Sequence, residues 1–143
     1  MTYITTIDQS KRLIELGLNP ATADMMYNVF EDPVNGKHYE RDFVDNWKDA
    51  WGESADTKTL WDEHTVPCRS VGALMDVWPK DDCFCLSTSF GAYQVEKYIE
   101  TWCCDLEVYP NPDNPEFYTV YKDTLFDAVY EMTVYLLEHK YIN

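Results

Sequence analysis

The side chains with the most reactive chemistry in this sequence are five cysteines and three histidines. Cys83-Phe84-Cys85 and Cys103-Cys104 are the thiolates that a four-coordinate zinc site would draw on. Their spacing suits it poorly. On strands Cys83 and Cys85 share a face, whereas Cys103 and Cys104 point to opposite faces. The two-residue spacers of zinc knuckles are also absent. Buried thiols acting as small apolar residues are the expected alternative for all four. His64 and Cys68 stand four apart, as a base and nucleophile on one helical face would, but Pro67 between them biases Val66 away from helix. A nucleophilic cysteine needs a lowered pKa, and an acidic chain raises it. No catalytic residue is therefore assigned and no cofactor is expected. A small Cys/His-dependent or metal-binding enzyme is kept only as the alternative reading.

Carboxylates form the second reservoir of chemistry. Asp42, Asp45 and Asp49 fall on one side of a helix predicted over Glu40 to Trp51, opposite Phe43, Val44, Trp47 and Trp51. Asn111, Asp113 and Glu116 only loosely suggest a calcium loop, since the EF-hand register and its glycine are missing. The sequence contains no GxGxxG, P-loop, GxSxG or HExxH. Tryptophans 47, 51, 61 and 78 are the kind of rings on which bases stack, but nucleic-acid binders pair such rings with Lys and Arg. Here 26 acids face 11 bases.

That imbalance gives a formal net charge of −15 in a chain that also carries 5 Trp, 11 Tyr and 6 Phe. Acidic disordered segments are poor in aromatics, so the chain is expected to fold with a strongly negative surface. Such a field repels nucleic acid and anionic membrane and favours a partner with a basic surface. The start TYITTIDQS has neither a basic opening nor an apolar core, so a cytoplasmic protein with reduced thiols is expected. At 143 residues the chain is read as one domain.

Local signals predict the elements that position these groups. Thr6 and Gln9 have capping-box spacing for a helix from about Ile7 to Leu16, ended by Gly17 with Leu18 folding back on Leu13. Asn19-Pro20 begins a short turn, Met25 to Phe30 reads as a strand, and Asn35-Gly36 is a turn signal. Gly52 to Thr59 reads as a loop. Ser70 to Trp78 suits a short helix with Ser70 as its cap. Cys83 to Phe90 and Phe117 to Tyr121 read as strands, and Asn111 to Pro115 as a turn. Residues 92–99 fit strand and helix equally. Thr124 to about His139 is an amphipathic helix with Leu125, Val129, Met132 and Leu136 on its apolar stripe. The expected class is α+β: a small antiparallel sheet of three to four strands against an N-terminal, a short middle and a C-terminal helix.

Three stretches carry a family likeness: SKRLIELGLNPATADM at 10–25, VPCRSVGALMDVWP at 66–79 and FDAVYEMTVYLLEHKYI at 126–142. On these the chain resembles small uncharacterised proteins encoded in prophages and mobile elements of gut Bacteroidetes bacteria. The resemblance implies a phage or mobile-element setting and no site residue, and 31–66 reads as an insertion by comparison. Together these observations point to a non-enzymatic, acidic protein-interaction factor. A nucleic-acid-mimicking inhibitor of a DNA-processing protein is a second reading. Self-association through the aromatics of 39–61 would make a homodimer. The expected docking residues are Asp42, Asp45, Trp47, Asp49 and Trp51, where rings and carboxylates concentrate.

Overall fold

The computed structural model describes residues 4–43, 65–81, 84–92, 100–109 and 113–142, with 89–92 and 100 described by backbone alone. The predicted loop 52–59, the ambiguous 93–99 and the candidate residues Asp45, Trp47, Asp49, Trp51, His64 and Cys83 lie outside the described residues. The fold is α+β, with its strands in two antiparallel three-stranded sheets. The residues gather into two compact units that divide between Asp76 and Val77.

The N-terminal unit begins with α1 (Ile7–Glu15), and its ends are set as the local signals predict. The Thr6 side chain accepts from the Gln9 amide at 3.2 Å, and Gln9 Oε1 accepts from the Thr6 amide at 3.0 Å. At the other end Gly17 adopts φ 97°, which lets Leu18 N–H donate to the Leu13 carbonyl and Gly17 N–H to that of Ile14. This double bond satisfies carbonyls the helix would otherwise leave open. Asn19 Oδ1 then caps a single 3₁₀ turn, Pro20–Thr22.

Strand β1 (Met25–Asp32) pairs on one side with β2 (Gly36–Phe43) and on the other with β3 (Thr65–Cys68). The β1–β2 hairpin closes where Asp32 accepts from the Val34 amide and the Asn35 side chain, and Gly36 takes φ 79°. The predicted helix over Glu40 to Trp51 is corrected here: Glu40 to Phe43 are the end of β2, and Asp42 is paired with Met26 of β1. A backbone ladder with β1 outweighs an intrinsic preference that is weak in either direction. Both β2 and the first half of β3 come from within 31–66.

α1 packs on β3, and the chain between β3 and α2 (Val71–Asp76) is held by a buried arginine. Arg69 is 0% exposed, and its Nη2 donates to the Asn19 carbonyl at 2.8 Å and to Thr22 Oγ1 at 2.9 Å. Its backbone exchanges hydrogen bonds with Thr5: Thr5 N–H to the Arg69 carbonyl, and Arg69 N–H to Thr5 Oγ1. Asp24 accepts from the Ser70 amide and hydroxyl, and Ser70 Oγ in turn accepts from Ala73 N–H at 3.3 Å, capping α2 as its spacing predicts.

The C-terminal unit is a meander of β4 (Phe84–Ala92), β5 (Glu100–Val108) and β6 (Glu116–Lys122), with α3 (Leu125–Glu138) packed on β5 and β6. The α3 stripe buries Val129, Met132 and Leu136 completely, and Thr124 caps its start by accepting from Asp127 N–H. Thr133 lies among them. Its hydroxyl donates to the Val129 carbonyl and accepts from Trp78 Nε1 at 2.9 Å, so the indole ring is buried with its one donor satisfied.

Two substitutions test these bonds. Thr133→Val keeps the side-chain shape but strands the Trp78 N–H, and is expected to lower the unfolding free energy in urea by about 1–3 kcal/mol. Asp24→Asn removes the carboxylate charge that accompanies Arg69 and weakens the bonds to Ser70. It is expected to cost about 2 kcal/mol by the same measurement.

Candidate functional site

Among the described residues the cysteines do not converge. On β5, Cys103 sits opposite Ser89 and Cys104 opposite Thr88, so the two thiols leave the sheet on opposite faces, as their adjacency predicts. Cys85 shares the face of Cys103 but pairs with Glu107, four residues further along, roughly 13 Å away. Cys85 is exposed, whereas Cys68, Cys103 and Cys104 are buried. Among the described residues no group of three His, Cys, Asp or Glu side chains is placed to hold a metal ion.

Burial also disarms the thiols. It pushes Cys68 from its ordinary 9.0 up to about 12, with the Asp24 charge adding to the effect, and it pushes Cys104 to about 12 with Cys103 and Asp105 reinforcing it. A nucleophile must be thiolate at working pH, and burial opposes that state at Cys68. Asp42, the one partner-docking candidate that is described, lies on the edge strand β2, where its Oδ1 accepts from the Phe43 amide.

The feature that does gather side chains into a concave site is a cleft of about 310 Å³ in the C-terminal unit. Leu106 and Val108 of β5 supply buried apolar surface, and Tyr118 of β6, Tyr135 of α3 and Tyr141 supply rings. Glu116 and Phe117, at the start of β6, also line it, so among the described residues its only charged side chain is a carboxylate. The register explains the placement: Tyr118 pairs with Leu106 and Glu116 with Val108. Alternation along two strands therefore turns all four to the face on which α3 packs.

The rings are stacked. Tyr118 and Tyr135 lie 3.6 Å apart at 7°, and His139 stacks on the other side of Tyr135 at 3.9 Å and 26°. Spacing of four along a helix brings Tyr135 and His139 together. His139 Nδ1 lies 2.9 Å from the Tyr135 carbonyl oxygen, which only accepts, so the proton on Nδ1 satisfies it. Tyr141 is folded back by the way α3 ends. Lys140 takes φ 59°, Lys140 N–H donates to the Leu137 carbonyl, and Tyr141 N–H donates to that of Leu136 at 2.8 Å. This is the arrangement seen after α1, with a lysine in the place where glycine is favoured. The Tyr141 ring then meets Phe84 of β4 edge-on at 5.3 Å.

The cleft's electrostatics are those of an electron-rich, uncharged aromatic wall beside one acid. Burial raises the Tyr135 hydroxyl above its ordinary value, and Tyr141, Tyr118 and Glu116 raise it further, so the ring stays neutral at physiological pH. Lys122 is occupied 2.7 Å from Glu131. Such a cleft can hold a cationic group with a flat or apolar body. Tyr135 is covered on both faces by Tyr118 and His139, so the carboxylate and the rings of Tyr118 and Tyr141 attract the charge, and the apolar surface takes the rest. Its volume is at the small end of ligand clefts, which run from roughly 300 to 1,000 Å³, so one side chain fits and a dinucleotide does not. The sequence reading missed this site, although Tyr135, His139 and Tyr141 together with the alternation in FYTVY were its available signals.

The thiols and the Lys140 backbone each give a test. A folded pKa raised from 9.0 to about 12 means that the fold favours the neutral thiol. That contribution is complete below pH 9 and is lost as pH climbs towards 12. Cys104→Val should flatten the alkaline fall in unfolding free energy by at most about 1.4 kcal/mol per pH unit. Lys140→Gly should raise stability by about 1 kcal/mol in thermal or urea unfolding, because glycine adopts positive φ without steric cost. Comparison with protein-family models, with curated proteins and with solved structures finds no match for this chain.

Proposed function

We propose that this chain is a non-enzymatic, acidic protein-interaction factor that docks a partner with a basic surface, and that the cleft of the C-terminal unit receives one arginine side chain of that partner. The observation that carries this reading is the lining itself: Tyr118, Tyr135 and Tyr141 beside Glu116, with no basic side chain among the described lining residues. Arginine suits it better than lysine. A guanidinium is flat, weakly hydrated and stacks on rings, and it can meet a carboxylate through two N–H groups. The chain's net charge of −15 adds long-range steering towards a basic surface. The phage or mobile-element setting implied by the family resemblance belongs to the same proposal, as does a cytoplasmic location.

The test is a titration of the full-length protein with an arginine-containing basic peptide, read by tyrosine resonances or by calorimetry. Binding should weaken as salt rises. Tyr118→Ala and Glu116→Gln should each weaken it about 3- to 30-fold, in line with about 0.5–2 kcal/mol for a cation on an aromatic face. Replacing the arginine by lysine should weaken it further. Salt-sensitive binding that is indifferent to both substitutions would move recognition to the surface field as a whole, as a nucleic-acid mimic would use it, and remove the cleft from the mechanism.

A further inference from the structure

β2 is the outer strand of the N-terminal sheet, and among the described residues no strand pairs with its far edge. It is long for an edge: its eight residues stay in unbroken register with β1, from Met25 opposite Phe43 to Asp32 opposite Gly36, and it contains no proline. Natural edges are commonly shortened, bulged, interrupted by proline or lined with charges, because every second residue presents free N–H and C=O groups, and of these devices β2 has only the charges, Lys37, Glu40, Arg41 and Asp42. The hairpin is also under-supported. Among the described residues β3 pairs with β1 over Met25 to Asn28, and Val29 to Asp32 pair with Gly36 to Tyr39 on one side only. Two strands alone are at best marginally stable in water. The β1–β2 hairpin also exposes rings, with Phe30 43%, Tyr39 40% and Phe43 60% accessible.

Charge identifies the occupant. The chain carries −15, yet Gly36 to Phe43 balances Lys37 and Arg41 against Glu40 and Asp42. The strand's own charges therefore add no net repulsion between two copies that meet along it. Paired residues in an antiparallel ladder share a face, so a twofold axis must pass through a residue and not between two. An axis at Tyr39 sets Lys37 opposite Arg41 twice. An axis at Glu40 instead sets Arg41 opposite the Tyr39 ring and His38 opposite Asp42, with a single like pair, Glu40 against itself. We propose that the β2 edge pairs antiparallel with the β2 edge of a second copy about an axis at Glu40, joining two three-stranded sheets into one of six strands.

Sedimentation of the full-length protein at about 100 μM should show a dimer that tightens as salt is raised, because screening relieves the repulsion of two acidic bodies. The register is read by cross-linking in a Cys85→Ser background. Residues facing each other across an antiparallel pair have Cα atoms about 4.5–5.5 Å apart, within disulfide reach. Glu40→Cys should therefore form a covalent dimer on mild oxidation. Lys37→Cys, which this register sets opposite Phe43, should not. A monomer at every salt concentration overturns the proposal, and so does cross-linking of Lys37→Cys as readily as Glu40→Cys. Glu40→Gln, which removes the like pair on the axis, should tighten the dimer, and a variant that weakens it also counts against the pairing.

Discussion

The N-terminal unit is organised around a guanidinium that has been taken out of water. Arg69 is completely buried, and burial drives its pKa from 12.5 down to about 10, so it remains charged at neutral pH in surroundings that disfavour the charge. Among the described residues its Nε and Nη1 have no hydrogen-bond partner. What offsets the cost is directional. Nη2 holds the 3₁₀ turn through Asn19 and Thr22, the backbone of the same residue exchanges bonds with Thr5, and the Asp24 charge nearby is fixed by Ser70. Three segments distant in sequence, at Thr5, 19–24 and 69–70, are thereby held at one point. An apolar side chain could fill the volume at less cost, but it would not specify which turn it meets.

How much of this was legible depends on how local each signal is. The capping box at Thr6, the positive φ at Gly17, the proline of the 3₁₀ turn and the stripe of α3 are each encoded within a few residues, and all appear as the sequence predicts. β2 was not legible. GKHYERDF is polar or charged on both faces and is exposed at nearly every position, so it lacks the alternation that marks a strand. Its conformation comes from β1 across the hairpin, not from its own residues. β3 has the same difficulty in another form: TVPC has four residues and a proline, and only its pairing with Met25 to Asn28 makes it a strand.

The site was hidden for a related reason. Its rings come from β6, the interior of α3 and the residues just beyond it, and they meet only once α3 lies on the sheet. Concentrated tryptophans at 47 and 51 drew the reading towards a single stretch, whereas the cleft is assembled from tyrosines that are sparse in any one window. The cysteines show the converse. Their adjacency was conspicuous, but strand alternation separates Cys103 from Cys104 and register separates Cys85 from both. Proximity in sequence and convergence in space are different properties, and chemistry needs the second.

The net charge then acts differently at the two surfaces that remain. At long range a body of −15 attracts basic partners and repels its own copies. Within a Debye length, about 8–10 Å in physiological salt, the local groups decide. At the cleft the local groups agree with the field, since rings and a carboxylate both favour a cation. Along β2 they do not add to it, since Lys37 and Arg41 offset Glu40 and Asp42. Under the proposed docking and strand pairing, the carboxylates therefore select partners on approach, while tyrosine rings and the outer edge of β2 decide which contacts last.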